Sequence, residues 1–257
     1  MDSIYKNFPE IIFEDDDFLV INKPAGLAVH HGGNIEGETL TDLLVKRYPK
    51  IIEVGDDKER PGIVHRLDKD VSGLMVVAKN NKSFENLKEQ FKKREINKQY
   101  LALVYGKIEN DAGEICFPIK RSKDGYRMAA MPLNASDLLV RRSPKSRDKG
   151  NISGLFKAKE AITSFKVLKR FVNYTYLEVK IKTGRTHQIR VHFFAYGHPL
   201  VGDTLYFTRK TKAKNEKLNF GRVFLMASRL SFFNQAGEKK DFTINLAPEL
   251  ESFLPKF

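Results

Sequence analysis

Residues 60–80 read RPGIVHRLDKDVSGLMVVAKN. His65, Arg66, Asp68, Lys69 and Asp70 stand directly before an apolar run, GLMVVA, that has strand character. A core strand needs none of these charges. A carboxylate that a loop delivers at the start of a buried strand is held by a rigid scaffold, the usual arrangement for reacting groups. Two more segments carry polar groups that a fold does not require. One is Tyr100 in KQYLA. The other is TGRTHQIRVH, which places Arg185, His187, Gln188, Arg190 and His192 within eight residues. On a helix His187 and Arg190 share a face at i, i+3.

Several chemistries are excluded by spacing. There is no His-Glu-x-x-His pair for a metal. His30 and His31 are adjacent and would point to opposite faces of a strand, and His187 and His192 are poorly spaced for one helical face. Ser72 has Asp70 and Leu74 where a hydrolase elbow needs glycines. GGNIEGETL lacks the Gly-Lys-Ser/Thr ending of a phosphate loop. Cys116 is the only cysteine, so no internal disulfide forms, which suits a reducing cytoplasm. What remains is one carboxylate with basic and aromatic groups.

These residues need elements to position them. Apolar and turn patterns give two short strands in IIFEDDDFLVINK, with Pro24-Ala25-Gly26 as the break after them. A helix follows from Thr39 or Thr41 to Pro49, and another is capped by Ser83, with Phe84, Leu87 and Phe91 inward. KQYLALVYGKI alternates as a strand, and 161–184 forms a hairpin around FVN. A helix begins at Thr186, faces Ile189, Phe193 and Tyr196 inward, and ends at Gly197. VFLMASRLSFF and DFTINL are late strands. RRSPKSRDKG and FTRKTKAKNEK are expected as basic loops. Strands and helices intermix without repeat or linker, which predicts an α+β fold.

The chain has 257 residues and a net charge of +13, with 19 Phe and 9 Tyr. Such a basic globular protein points to a polyanionic partner, nucleic acid first. No run approaches a membrane span of about 20 apolar residues, and the acidic N-terminus is unlike a secretory signal.

RPGIVHRLDKDVSGLMVVAKN, KQYLA and TGRTHQIRVHFFAYGHPLVGD together closely resemble the RluA-type RNA pseudouridine synthases, from about residue 10 to the C-terminus. The resemblance implies a catalytic domain over 10–257 with a short N-terminal extension over 1–9. Its sheet would be mixed and mostly antiparallel, flanked by helices and loops, with a central cleft. It implies conversion of uridine in RNA to pseudouridine by a cytoplasmic monomer with no cofactor and no metal. Asp68 takes the catalytic position, whether by attack at C1′ or by assisting elimination. Tyr100 stacks on uracil and serves proton removal at C5, and Arg190 keeps Asp68 ionised. Arg66 enters the space left by the extruded nucleotide. His65, Arg185 and His187 are RNA-contacting positions, the two histidines as hydrogen-bonders, and Asp203 shapes a turn. Val71 and Met226 stand where the family usually has Thr and His. An S4-type RNA-binding domain is expected to be absent, so RNA affinity would come from the basic surface. Large-subunit ribosomal RNA is the expected substrate. Transfer RNA, a catalytically silent RNA-binding assembly factor and, more distantly, a sugar hydrolase are the rivals.

Overall fold

A computed structural model of the protein describes residues 8–32, 35–122, 125, 127–131 and 158–254. The loop expected over 141–150 lies outside these residues. The chain divides into two compact units. Residues up to Leu101 and from Arg222 onward form the first, and Ala102–Gly221 form the second. The division falls inside a strand that the alternating pattern of KQYLALVYGKI treats as one continuous element.

In the first unit β1 (Glu10–Glu14) and β2 (Phe18–Lys23) pair antiparallel, and β2 pairs antiparallel with β3 (Ser72–Ala78). β3 runs parallel to the start of β10 (Leu225–Phe233), whose later half pairs antiparallel with β11 (Lys239–Thr243). β10 also neighbours β4 (Asn97–Tyr105), the strand within which the two units divide. Every residue of β3 is buried, as its unbroken apolar run predicts. Helices α1 (Leu40–Arg47), α2 (Asn81–Lys93) and the short α5 (Pro248–Phe253) complete the unit. α1 starts at Thr39, whose backbone N–H and hydroxyl both donate to the Asp42 carboxylate at 2.8 Å. α2 starts earlier than the sequence suggests. Its cap is Asn80, whose Oδ1 accepts from the Ser83 N–H at 2.8 Å, while its Nδ2 donates to Asp17. A side chain that caps and also cross-links to the turn between β1 and β2 outcompetes Ser83, which is buried.

In the second unit β9 (Tyr174–Ile181), a neighbour of β4, forms the expected hairpin with β8 (Thr163–Arg170). β5 (Ala112–Ile115) pairs with β8, and β6 (Ile119–Arg121) pairs with β7 (Met128–Ala130) as a separate ribbon. α3 (Gln188–Ala195) begins two residues later than Thr186, because His187 takes a left-handed conformation (φ 54°) and so cannot be helical. Tyr196 lies beyond its end, half-buried. The expected basic loop from Phe207 is a helix, α4 (Arg209–Leu218), capped by Thr208 and closed by left-handed Asn219. Its Lys, Ala and Glu content is strongly helix-forming and holds no Pro or Gly, so the charge run concealed an element. The architecture is α+β with a mixed, mostly antiparallel sheet.

Two glycines of the opening motif are demanded by packing. Gly62 has φ 71°, and a Cβ there would meet the Ala78 carbonyl at 2.5 Å. Gly73 has φ 114°, and a Cβ there would lie 2.2 Å from the carbonyl oxygen of Ala227. The parallel approach of β3 and β10 therefore requires glycine at 73. We expect Gly73→Ala to destabilise the protein by about 3 kcal/mol or more, read as a fall in the urea midpoint at unchanged slope.

Candidate active site

Asp68 sits half-buried in a tight turn just ahead of β3, closed by Val71 N–H donating to the Asp68 carbonyl at 3.1 Å. Leu67 is buried beneath it. The turn is tied to the Pro24–Gly26 turn by the Gly26 N–H, which donates to the Lys69 carbonyl at 2.8 Å. Below both lies Lys23, fully buried at the end of β2. Its Nζ donates to the carbonyls of Pro24 (2.9 Å), Leu27 (2.8 Å) and Lys69 (3.2 Å). Burial pulls the Lys23 ammonium down to about 7, and the Asp68 charge partly opposes that fall. Arg222 braces the same turn. It donates to Ser72 Oγ at 2.7 Å and pairs with Glu249 at 2.7 Å. Val71 and Met226 are both buried, and Met226 Sδ accepts from the Ala247 N–H at 3.4 Å, so each fills its place without a hydroxyl or imidazole.

Tyr100 is buried on β4 in the same unit. Burial first, then the negative charge of Asp68, raises its phenol well above the ordinary tyrosine range. Tyr100 is therefore a neutral phenol with an electrostatic link to Asp68, not a phenolate. Arg66 is exposed, and its guanidinium donates to His30 Nε2 at 3.2 Å. His65 turns inward. Its Nε2 accepts the Val76 N–H at 3.1 Å, and its ring stacks on Phe91 with centroids 4.7 Å apart. Burial drives its pKa down to about 3, so this ring is neutral and anchors β3.

In the second unit Arg190 is 4% exposed and makes a two-pronged pair with fully buried Asp203. Nε and one terminal nitrogen lie 2.8 and 2.9 Å from the two carboxylate oxygens. Asp203 also accepts the N–H groups of Leu205 (2.8 Å) and Tyr206 (2.9 Å), so it shapes a turn and orients Arg190 at once. The pair uses two of the five N–H donors of the guanidinium. His187 Nδ1 lies 2.9 Å from the Tyr206 hydroxyl, and Arg185 Nε donates to the Glu160 carbonyl at 3.1 Å. The remaining polar residues of TGRTHQIRVH are structural. Gln188 uses both ends of its amide, accepting from Thr183 and Arg185 and donating to Ile162 and Thr163. His192 is sandwiched between the Thr163 hydroxyl and the Phe117 carbonyl. A carbonyl only accepts, so Nε2 carries the proton and Nδ1 takes the threonine hydrogen.

Sequence reasoning foresaw Asp68, Tyr100 and Arg190 as candidates but missed their supports, namely Lys23, Arg222, His30 and the Asp203 clasp. Only Lys23 left a trace, as a lysine closing the apolar run FLVINK before Pro.

A profile of the RNA pseudouridylate synthase family matches residues 17–195. The chain is 40% identical over 234 residues to an "Uncharacterized RNA pseudouridine synthase" of Aquifex aeolicus, covering 89% of this chain and 66% of that one. It is 37% identical over 234 residues to a "Ribosomal large subunit pseudouridine synthase D" of Buchnera aphidicola, covering 88% and 65%. Thus it spans just under two thirds of the length of the curated relatives it matches. The solved structure "Human RNA Pseudouridylate Synthase Domain Containing 1" superimposes with a TM-score of 0.70 at 26% identity, over 96% of this chain and 88% of that one. The fold is that of a pseudouridine synthase. The chain belongs to the RNA pseudouridylate synthase family, of the RluA type.

The burial of neutral His65 has a measurable consequence. Its folded pKa, about 3, lies below the unfolded value near 6.5, so below about pH 6.5 the unfolded chain binds a proton that the native state refuses. Its share of stability is complete above that pH and falls by about 1.4 kcal/mol per pH unit toward 3. Urea midpoints at pH 7 and 5 should fall more for the wild type than for His65→Gln. Equal falls would place His65 in contact with water.

Proposed function

We propose that this chain isomerises uridine in structured RNA to pseudouridine, with Asp68 as the nucleophile. The observation that carries the reading is the placement of Asp68. A carboxylate stands in a braced turn at the head of a buried strand, with buried, neutral Tyr100 in its field. Attack of a carboxylate oxygen on C1′ forms a C–O bond while the C1′–N1 bond breaks, the electron pair leaving on uracil N1. The base turns, C5 bonds to C1′, and the carboxylate leaves. C5 then loses its proton and N1 gains one. No electron enters or leaves, so the step needs no redox partner. Tyr100 offers a ring face to uracil and a neutral hydroxyl at its edge. Arg190, oriented by Asp203, is the proposed cation of the reaction. The same Asp68 oxygen can instead take the C2′ proton, and deuterium at C2′ separates the routes, since only elimination gives a primary isotope effect.

A uridine inside folded RNA must leave its stack, at a cost of a few kcal/mol. Exposed Arg66 enters the space it leaves, where a guanidinium stacks on bases and holds phosphate. Arg185 and His187 approach the same RNA. Large-subunit ribosomal RNA is the proposed substrate, because several relatives carry that substrate in their names, and transfer RNA is the alternative. Residues 10–257 act as one catalytic domain, monomeric and cytoplasmic. Among the described residues no helix is long and apolar enough to cross a membrane.

Backbone affinity is assigned to α4. On α2 three of the four lysines are answered by acids, Lys88 by Asp56 and Glu85, and Lys92 and Lys93 by Glu89, while Lys82 has no acidic partner among the described residues. On α4, Arg209, Lys210, Lys214 and Lys217 have no acidic partner among the described residues, and only Lys212 has one, Glu216 at 4.0 Å.

RNA tritiated at uridine C5 should release tritium with the wild type and none with Asp68→Asn. Tight binding without release by the wild type would instead identify a silent assembly factor. Four phosphate contacts on α4 predict about a hundredfold loss of RNA affinity between 50 and 200 mM salt. Changing Arg209, Lys210, Lys214 and Lys217 to Gln should flatten that dependence. An unaltered slope would remove α4 from the interface.

A further inference from the structure

We propose that His30 is a positioning residue for Arg66. Held neutral inside the protein, it fixes the arginine that enters the RNA stack and releases it when protonated. The inference rests on the reading of Arg66 given above and adds a residue to it.

The geometry of His30 leaves one arrangement of protons. The residue is 5% exposed. Its Nδ1 lies 2.6 Å from the His31 carbonyl, and its Nε2 lies 3.2 Å from an Arg66 terminal nitrogen. A carbonyl only accepts and a guanidinium only donates. Nδ1 therefore carries the hydrogen, and Nε2 offers its lone pair to Arg66. A second proton would sit on Nε2 facing the guanidinium, turning an attraction into a like-charge contact. Arg66 is exposed and otherwise has the rotamer freedom of a long side chain, so this hydrogen bond is what narrows its position.

His30 itself sits on a rigid platform. The first turn of α1 leaves backbone N–H groups without helical partners. Leu40 N–H donates to the Ala28 carbonyl at 2.9 Å and Thr41 N–H to the Val29 carbonyl at 3.0 Å. His31 Nε2 lies 2.8 Å from Asp42, the carboxylate that also caps α1. Segment 28–31 is thus docked on a helix end.

The other charged groups around the ring act in the same direction on balance. Desolvation is the largest influence and lowers the pKa of His30. Arg60 and Arg66 lower it further, while the His31 carbonyl and Asp57 raise it. Arg60 is itself 3.5 Å from Asp57, which offsets part of both. His30 is therefore neutral at pH 7, and it gains a proton only below the ordinary histidine range.

The first test needs no RNA. In the free protein, 15N chemical shifts of the His30 ring should show Nδ1 protonated at pH 7, and Arg66→Ala should raise the His30 titration midpoint. A midpoint that does not move overturns the proposal. The second test uses single-turnover tritium release from a large-subunit RNA transcript at saturating enzyme. His30→Phe keeps the ring volume and should slow release by roughly tenfold, as for loss of a hydrogen bond to a charged group, with unchanged KM. In an Arg66→Ala background the same change should add nothing. His30→Gln presents an acceptor that does not titrate, so it should restore the rate and flatten its fall on the acid side. Equal losses in both backgrounds would make His30 merely structural and overturn the proposal. If the wild type releases no tritium, the assignment of activity fails, while the shift measurement still decides the contact.

Discussion

One buried ammonium sets the geometry on which the first unit depends. Lys23 ends β2 with its Nζ against three carbonyls from two different turns. An ammonium has three hydrogens, and three carbonyls meet them. Burying the charge is costly, as its depressed pKa of about 7 records. The neighbouring Asp68 charge recovers part of that cost. Lys23 and Asp68 are thus mutually dependent: the lysine knits together the turn that presents the carboxylate, and the carboxylate helps keep the lysine charged. Replacing the lysine by an apolar residue would leave three buried acceptors unsatisfied beneath the turn that carries Asp68.

The second unit applies the same rule with the signs exchanged. There the cation is the candidate functional group and the buried carboxylate is its support. Asp203 accepts two guanidinium N–H groups and two backbone N–H groups. Its turn is reinforced by Asn215 of α4, which donates to the Asp203 carbonyl at 3.0 Å and accepts from the Gly202 N–H at 2.9 Å and the Tyr105 hydroxyl at 2.6 Å. In each unit a candidate functional group is ordered by a group that water does not reach, as preorganised sites require.

The sequence was most legible where a residue type has few uses. An unbroken apolar run and a carboxylate poised before it are local signals. Asp68, the β3 strand and the hairpin of β8 and β9 could be read from them, and Gly73 supplies the physical reason for the Ser-Gly-Leu of the motif. Supports joined across long stretches of chain were not legible. Asp203 is 13 positions from Arg190 and Arg222 is 150 from Ser72, and spacing says nothing about such pairs. The basic segment from Phe207 failed for a different reason. Its charge run suggests a solvated loop, although its helix propensity is high and Thr208 stands at its start as an N-cap.

The distribution of charge explains why the excess of 13 positive charges does not amount to a uniformly sticky surface. Lys88, Lys92 and Lys93 of α2 are met locally by acids a turn away or on the neighbouring loop. On α4 Arg209, Lys210, Lys214 and Lys217 have no acidic partner among the described residues, and Arg209 and Lys210 stand in the first turn, where they oppose the helix dipole. A helix that needed only stability would place acids there. The arrangement makes sense when an external polyanion supplies the missing negative charge, and Asn215 on that helix also fastens the turn that orients Arg190. α4 thus carries both these cations and the amide that fastens the Asp203 turn, and the buried Arg190–Asp203 pair belongs to the same unit.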